Sequence, residues 1–215
     1  MLIAARNGFA VGKSLPYDAE VEYLESTGTQ YIDTGCDMAV DGAIECGYRM
    51  SSLSYVMQFG QSGIRLQQGG TIYNRFSFGF LDDLKRSIWL ADRYNELNRN
   101  EDNNWNTVRM DAVTGKCGYN GATATYSHNW NPQAVGLSSF YLFGTRNTVG
   151  VIERIGHVQI SFMRMWKNGI LIRDLTPVRF TNEQGQSEGA MYDRVSGELF
   201  RNAGTGAFTI GPDKS

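Results

Sequence analysis

The stretch GHVQISFMRMWKNGILIRDLTPVRF, residues Gly156–Phe180, decides the fold class of this chain. Its first half, Gly156–Lys167, has the length and composition of a strong β-strand, and Ile170–Phe180 has those of a return strand. The pair Asn168-Gly169 separates the two halves and favours a type I′ turn, because that turn needs positive φ at both central residues. The stretch therefore predicts a long antiparallel hairpin.

The segments on either side of this hairpin also read as β-structure. Apolar and polar residues alternate in Ala43–Met50 and Thr71–Phe80, and glycine turns such as Asn120-Gly121 separate short segments. The segment Leu81–Arg99 is ambiguous, because it fits either a helical turn before a strand or strands alone. Strands do not alternate with long helices, which disfavours a parallel α/β sheet. The pattern therefore predicts an all-β fold, an antiparallel sandwich or barrel.

The composition of the chain limits its class and its partners. It has 215 residues, 41% hydrophobic and 20% charged, which is typical of a packed globular protein. A net charge of −2 without a basic block disfavours a nucleic-acid partner, and no apolar run reaches the ~18 residues of a membrane span. We expect one domain over residues 20–215. Residues 1–19 are expected to be an N-terminal arm or leader, without the basic region of a secretory signal.

The three cysteines, Cys36, Cys46 and Cys117, form an odd set without a Cys-x-x-Cys pair. Only two histidines accompany them, so a structural zinc site is disfavoured. The leading interpretation is that all three are free and buried, and pack as small hydrophobic side chains. A Cys36–Cys46 disulfide is the main alternative.

The two ends of the chain, VEYLESTGTQYIDTG (Val21–Gly35) and EGAMYDRVSGELFRNAGTGAFTIGP (Glu188–Pro212), carry a family resemblance when they are taken together. They resemble the concanavalin A-like lectin/glucanase superfamily, and more narrowly the laminin G-like jelly-roll domains of gut-bacterial surface proteins and prophage tail proteins. Between them, WNTVRMDAVTGKCGYNG (Trp105–Gly121) resembles the strand–turn–strand before the late strands of such domains. The segment from Arg154 resembles their final long hairpin, and the resemblance covers Val21–Pro212.

This resemblance implies an antiparallel two-sheet jelly-roll sandwich with a slightly curved concave face and loops at one rim. Members of the superfamily mostly bind glycans or act as adhesive accessory modules, and some relatives are glucanases. Relatives often bind one Ca²⁺ ion at the loop rim.

Two motifs invite a catalytic interpretation. Asp33-Thr34-Gly35 follows an apolar residue as in aspartic proteases, but that chemistry needs a second carboxylate to share a proton, and the chain has no second such motif. The glucanases of the superfamily place carboxylates as Glu-x-Asp-x-x-Glu, and no Glu-x-Asp occurs here; the nearest approach is Glu20-Val21-Glu22. We therefore expect no catalytic residue and interpret Asp33-Thr34-Gly35 as the first strand and turn of the sandwich.

Aromatic residues next to amides form the predicted ligand site, because sugar rings stack on aromatic faces and hydrogen-bond to amides and carboxylates. The segment Tyr126–Gln133 has this composition and lies between strands, where exposure is expected. The predicted ligand-binding residues are Tyr126, His128, Asn129, Trp130, Trp105 and Tyr94. Taken singly, each tryptophan is expected to pack, Trp89 and Trp166 included, because most aromatic side chains of a sandwich face its core.

Calcium is the one cofactor that the resemblance suggests. Ca²⁺ takes about six to eight oxygen ligands. Asp82 and Asp83 offer carboxylates for it, with Asp92 and Asp102 as further contributors. No spaced loop motif is present, so a solvated acidic turn is the alternative interpretation.

The sequence thus favours a non-catalytic carbohydrate-binding or adhesive module of a bacterial surface protein or a phage or prophage tail protein. Its expected location is extracellular, at the cell surface or on a virion. The expected partners are a glycan or cell-surface polysaccharide and other virion or surface-protein subunits. The alternatives are a structural or assembly module without a sugar ligand, and a glycoside hydrolase.

Overall fold

A computed structural model describes residues 14–52, 57–67, 70–80, 85–100, 102–134, 138–146 and 151–215. Nearly all of its regular structure is β. In chain order the strands are β1 (Ala19–Glu20), β2 (Leu24–Thr27), β3 (Ile32–Asp33), β4 (Gly42–Met50), β5 (Met57–Gln67), β6 (Gly70–Phe80), β7 (Lys85–Ala91), β8 (Arg93–Asn100), β9 (Asn106–Asp111), β10 (Lys116–Tyr119), β11 (Ala122–Thr125), β12 (Tyr141–Leu142), β13 (Thr145–Arg146), β14 (Ile152–Glu153), β15 (His157–Lys167), β16 (Ile170–Thr181), β17 (Ser187–Asp193), β18 (Glu198–Phe200) and β19 (Thr209–Ile210). A short 3₁₀ helix spans Pro132–Ala134.

Two antiparallel sheets pack face to face. The large sheet runs β11-β10-β9-β4-β15-β16-β17-β18, and β1, β2 and β19 join it beside β16 and β15. The small sheet runs β3-β12-β5-β6-β7-β8, while β13 and β14 form a separate ribbon. The structure thus confirms the all-β antiparallel sandwich. Among the described ranges, no helix has the length and apolar character needed to cross a bilayer.

The core forms where the inward-facing side chains of the two sheets meet. Phe78 of β6 lies at the centre of an aromatic cluster, with ring centroids 5.3 Å from Tyr48, 5.4 Å from Phe59 and 5.3 Å from Phe80. All four side chains are fully buried. Burying one such side chain contributes roughly 1.5–3 kcal/mol to the free energy of unfolding. The cluster therefore contributes strongly to the packing of the two sheets.

The hairpin at Asn168-Gly169 forms as predicted. These two residues have φ of 50° and 76°, and Lys167 pairs with Ile170 across the turn. The resulting long strand, β15, pairs with β4 along one edge and with both β2 and β16 along the other. The hairpin therefore lies at the centre of the large sheet.

The ambiguous segment around Leu81–Arg99 is β-structure from Lys85 onward, where it forms β7 and β8. Ile88 and Leu90 are fully buried in the core, while Trp89 faces the other side of the sheet. All residues of β7 after Lys85 are buried, and their pairing with β6 and β8 identifies the segment as a strand. The helical turn expected before it falls mainly on residues 81–84, which lie outside the described residues.

The beginning and the end of the domain meet at one edge of the sandwich. Strand β19 pairs with β2, and the Ala203 N–H donates to the Tyr31 carbonyl at 2.9 Å. Asp33 ends β3, and its Oδ1 accepts a hydrogen bond from the Gly35 N–H at 2.9 Å. The Thr34 hydroxyl donates to a backbone carbonyl at 2.7 Å. Asp33-Thr34-Gly35 is therefore a strand end and a turn in this fold.

All three cysteines are free and buried. This confirms the leading interpretation and shows that the Cys36–Cys46 disulfide is absent. Burial raises the pKa of the Cys117 thiol to about 12 and also raises the pKa of Cys46. The thiols are therefore packing groups, since the thiolate is the reactive form of cysteine.

Candidate functional site

Four of the predicted ligand-binding residues lie in the loop Tyr126–Asn131, which we call the strap. The indole N–H of Trp130 donates to the Ala112 carbonyl at 2.8 Å, and the half-buried ring packs against the core. Buried Asn74 of β6 accepts from the Asn131 N–H at 2.8 Å and donates to the Asn131 carbonyl at 2.6 Å. The strap therefore ties the end of β9 in the large sheet to β6 in the small sheet.

Shorter-range contacts hold the other strap residues. The His128 ring centroid is 5.9 Å from that of Trp130, and His128 Nδ1 lies 3.1 Å from the Tyr126 carbonyl oxygen. The Asn129 N–H donates to Asp92 Oδ1 at 3.3 Å, and burial raises the pKa of the Tyr126 hydroxyl. These contacts are those of a packed connecting loop. Ligand binding at the strap stays a prediction.

Tyr94 lies on β8, on the side of the small sheet that faces away from the core. Its hydroxyl accepts from Ser87 Oγ at 3.1 Å and donates to Glu96 Oε1 at 3.0 Å. Its ring centroid is 5.3 Å from that of Trp89. The side chain is exposed, and these contacts join it to Ser87, Glu96 and Trp89 rather than to the strap or Trp105.

Trp105 precedes β9, whereas Trp130 contacts Ala112 just beyond the other end of that strand. At ~3.3 Å per residue, β9 separates the two indoles by about 20 Å. The Trp105 ring lies 4.7 Å from the Arg49 guanidinium carbon and 6.0 Å from the Tyr23 ring centroid. The six predicted residues therefore occupy three separate places instead of one rim.

Trp105 stands at one end of the solvent-facing side of the large sheet, which we call the outer face. Ile44, Cys46, Tyr48 and Met50 of β4 face the core, so the alternate residues Glu45, Gly47 and Arg49 share the other side of the sheet, where Phe162 covers Gly47. The neighbouring strands place further side chains beside them through their pairing register. The outer face consists of Tyr23, Glu25, Glu45, Gly47, Arg49, Trp105, Arg109, Gln159, Phe162, Arg164, Trp166 and Asp174.

A charged row crosses the outer face over four strands. Arg109 of β9, Glu45 of β4, Arg164 of β15 and Asp174 of β16 lie directly opposite one another in register. Arg164 donates from Nη1 to Glu45 Oε2 at 3.4 Å and from Nε to Asp174 Oδ1 at 3.3 Å. Opposite charges paired across strands contribute roughly 0.2–1 kcal/mol each. The row thus presents both signs of charge in fixed positions.

A second polar row runs parallel to the first. Arg49 Nε donates to Gln159 Oε1 at 2.8 Å, and Gln159 Nε2 donates to Glu25 Oε2 at 2.9 Å. Gln159 is only 7% exposed, so its amide orients the two charged groups. Guanidinium, amide and carboxylate groups are the types of donor and acceptor that hydroxyl groups use.

Aromatic rings lie at both ends of the outer face. Trp105 is 40% exposed beside Arg49. Half-buried Trp166 lies opposite Ala43 of β4, with the Arg109 guanidinium carbon 5.5 Å from its ring centroid. From residue 43 to residue 49 the strand advances about 20 Å, which sets the length of the surface between the two indoles.

A third ring fills the middle of the outer face. Phe162 lies over Gly47, where an added Cβ would come within 2.5 Å of its Cε1 atom. Glycine therefore lets the ring approach the sheet backbone at this position. The Arg164 guanidinium carbon lies 5.3 Å from the Phe162 centroid. The outer face thus combines three aromatic rings with two polar rows.

No family model matches this chain. The search of curated proteins also finds no match. Among solved structures, the chain is similar over 74% of its length to full-length tailspike protein 2 from Escherichia coli O157:H7 bacteriophage CAB120, with 12% sequence identity and a TM-score of 0.38. The matched part covers 27% of the tailspike chain.

The predicted calcium ligands Asp82 and Asp83 lie outside the described residues. Of the two further candidates, Asp92 Oδ1 accepts from the strap, and Asp102 Oδ1 accepts from Asn104 N–H and Asn106 Nδ2. Within the described ranges, no three His, Cys, Asp or Glu side chains cluster as metal ligands. Calcium binding stays a prediction.

Sequence reasoning identified Trp105 but missed the rest of the outer face. It assigned Trp166 to packing and did not single out Arg49 or Phe162 as ligand contacts. The reason is a bulge: the pairing of β15 with β4 shifts register between Ile160 and Phe162. Strict in–out alternation from the buried Ile160 would predict that Phe162 faces the core. Only a sequence interpretation that placed a β-bulge in this strand could have predicted that Phe162 and Trp166 lie on the outer face.

Proposed function

We propose that the chain is a non-catalytic glycan-binding module and that the outer face is its binding surface. The observation that carries this proposal is the exposed Trp105 indole on the same face as Phe162 and Trp166, beside two hydrogen-bonded polar rows. The apolar C–H face of a sugar packs on aromatic rings, while its hydroxyl groups exchange hydrogen bonds with the rows.

The surface suits a neutral and extended glycan. The outer face carries three arginines and three carboxylates, so it presents no net charge to an ionic ligand; these are Arg49, Arg109, Arg164, Glu25, Glu45 and Asp174. The aromatic rings spread over about 20 Å of open sheet, which is long enough for several sugar rings in a row. We therefore expect binding to internal segments of a neutral polysaccharide.

A location at a bacterial surface or on a phage or prophage tail is the second part of the proposal. It rests on the resemblance of the chain's two ends to laminin G-like jelly-roll domains of such proteins. A neutral cell-surface polysaccharide is a ligand that either location would supply.

The proposal is tested by screening the full chain on an array of neutral and acidic glycans, followed by titration calorimetry of each hit. Trp105→Ala and Trp166→Ala should each weaken binding about tenfold or more, equivalent to about 1.4 kcal/mol, because exposed aromatic anchors dominate such contacts. Tyr94→Ala is the matched control, an exposed aromatic on the other sheet, and should leave affinity unchanged. Binding lost in Trp130→Ala or Tyr126→Ala but kept in Trp105→Ala would move the site to the strap.

The non-catalytic part of the proposal has its own support. Glu25, Glu45 and Asp174 each accept a hydrogen bond from a neighbouring side chain on the face. Carboxylates engaged in this way serve to orient partners, whereas a glycosidase needs a pair that flanks the scissile bond. Release of reducing ends from a bound glycan during prolonged incubation would contradict this part.

An assembly module without a sugar ligand is the second candidate. The exposed Trp105 with Arg49 favours it, because Trp and Arg are enriched in protein interfaces. This candidate predicts a stable oligomer by light scattering that Trp105→Ala dissociates, together with no binding to any glycan on the array.

A further inference from the structure

A groove of about 540 Å³ opens at the edge of the large sheet, away from the outer face. One wall is the first half of β17 with the residue before it, residues 186–189, and the other is the loop 201–208. We call this cavity the edge groove. Strand β18 pairs with β17 only between Met191 and Asp193, so the edge groove lies where β18 would continue if it were longer.

The loop after Phe200 is held by the N-terminal segment instead of by β17. The Ala203 N–H donates to the Tyr31 carbonyl at 2.9 Å, and the Thr205 N–H donates to the Thr29 carbonyl at 3.2 Å. The first half of β17 therefore has a partner strand, β16, on one side and the groove on the other.

Main-chain groups of β17 face the groove at alternate residues. The Arg194 N–H donates to the Asp174 carbonyl of β16 at 2.9 Å, and the Gln186 carbonyl accepts at 2.9 Å from the residue that follows β16. Since the register between these two bonds is unbroken, even-numbered residues of β17 bond to β16 and odd-numbered residues point the other way. The N–H and C=O groups of Ser187 and Gly189 therefore face the groove.

These main-chain groups are available to a ligand. From the residues that the structure describes, no hydrogen bond reaches Ser187 or Gly189 on the groove side. Gly189 is buried, so water reaches its N–H and C=O less readily than those of an open edge, and a shielded main-chain group requires a partner. An unpaired strand edge is a template for pairing with another chain.

The size of the groove matches a short strand. A residue in a packed β-sheet takes about 3.3 Å along its strand, about 4.8 Å between strands and about 10 Å between layers, which is roughly 160 Å³. The groove of about 540 Å³ therefore has room for about three residues, the length of the unpaired edge from Ser187 to Gly189. Donors and acceptors that recur at every second residue match an extended peptide, whereas a sugar ring has no such repeat.

We propose that the edge groove binds an extended peptide segment of a partner protein, which adds to β17 as a strand. The main chain of the segment exchanges hydrogen bonds with Ser187 and Gly189, a mode of recognition in which the backbone supplies the affinity. Glu188 and Arg201 give the lining both signs of charge, so we expect uncharged residues in the bound segment. This proposal does not rest on the proposed glycan function.

The test uses the full chain and a capped hexapeptide of sequence TVATVT, followed by ¹H–¹⁵N NMR. Titration should give saturable shifts of the Ser187 and Gly189 amides and of amides in the loop 201–208. Absence of saturable shifts at these amides, or shifts confined to another edge strand such as β11, would overturn the proposal. Shifts of the same amides by a sugar and by no peptide would also overturn it.

Two N-methylated versions of the hexapeptide test the pairing on the native chain. Methyl groups on the second and fourth amides leave one edge of the peptide intact, and the affinity should stay within about threefold of that of the unmethylated peptide. Methyl groups on the third and fourth amides interrupt both edges, so binding should weaken about fivefold or more, because a main-chain hydrogen bond is lost in every register. Equal affinity of the two methylated peptides would refute strand addition.

Variants of Ser187 locate the bound strand. Ser187→Pro removes an exposed donor from the groove wall, and an edge strand tolerates proline where the N–H faces away from the ladder. Peptide affinity should fall about fivefold or more, whereas Ser187→Ala keeps the N–H and should bind as the native chain does. Undiminished binding in Ser187→Pro would contradict the assignment. Glycan affinity in this variant reports separately on the outer face and should equal that of the native chain.

Discussion

Asn74 offers the sharpest test of the strap as a structural tie. In Asn74→Leu, a side chain of similar size loses both of its hydrogen bonds to Asn131, which are 2.8 and 2.6 Å long. Asn74 is fully buried, while Asn131 is half-buried and regains only part of its hydration. At roughly 1–1.5 kcal/mol for each lost bond, the free energy of unfolding should fall by about 2–3 kcal/mol. In a domain of this size that corresponds to a decrease in Tm of about 5–10 °C.

Urea unfolding followed by circular dichroism measures this change, with the slope of the transition checked for constancy. Asn103→Ala is the matched control, because Asn103 is an exposed asparagine in the loop before β9 and should change stability little. Asn74→Asp keeps the acceptor for the Asn131 N–H and loses the donor, but it also buries a carboxylate. It should therefore be no more stable than the leucine variant. A loss below about 0.5 kcal/mol in Asn74→Leu would refute the view that these bonds anchor the strap.

Three further outcomes follow from the structure. Gly169→Val should cost about 1–2 kcal/mol in urea unfolding, because φ is 76° at this turn position; Gly169→Asn should cost less. Burial raises the pKa of the Glu20 carboxyl, but the hydrogen bond and charge of Arg194 outweigh burial and lower it overall. The interaction of Glu20 with Arg194 therefore stabilises the fold above the ordinary pKa of 4.5, and this stabilisation is lost as the pH falls through the lower pKa of the folded state. The difference in free energy of unfolding between the native and Glu20→Gln proteins should shrink over the same pH range. Because the pKa of Cys117 is about 12, iodoacetamide near pH ~8 should alkylate this thiol in urea and leave it intact in the native protein, as mass spectrometry would show.

Local patterns predicted the fold well, because the decisive signals are local. The Asn168-Gly169 turn specifies its own backbone geometry, and the strands on either side then pair by necessity. The segment from Lys85 stayed ambiguous for a different reason. Its strand character depends on Ile88 and Leu90 filling a core supplied mainly by distant strands, and no local window contains that information.

The candidate site was predicted less well, because a surface depends on register between strands far apart in sequence. Trp130 and Trp105 look alike in the sequence, each flanked by asparagines. The fold gives Trp130 a backbone acceptor at Ala112 and leaves Trp105 open to solvent beside Arg49. Only the pairing of β4 with β9 and β15 brings Arg109, Glu45 and Arg164 into one row.

The bulge in β15 has a consequence for how this strand can change in length. Ser161 has no partner on β4, where Ile160 pairs with Tyr48 and Phe162 pairs with the next residue, Gly47. Deleting Ser161 would therefore leave every side chain on its present side. Deleting a residue several positions away would exchange the inner and outer sets between that position and the bulge; loss of Met165, for example, would turn Met163 outward and Arg164 inward. Among related chains, single-residue length differences in this strand should fall at position 161.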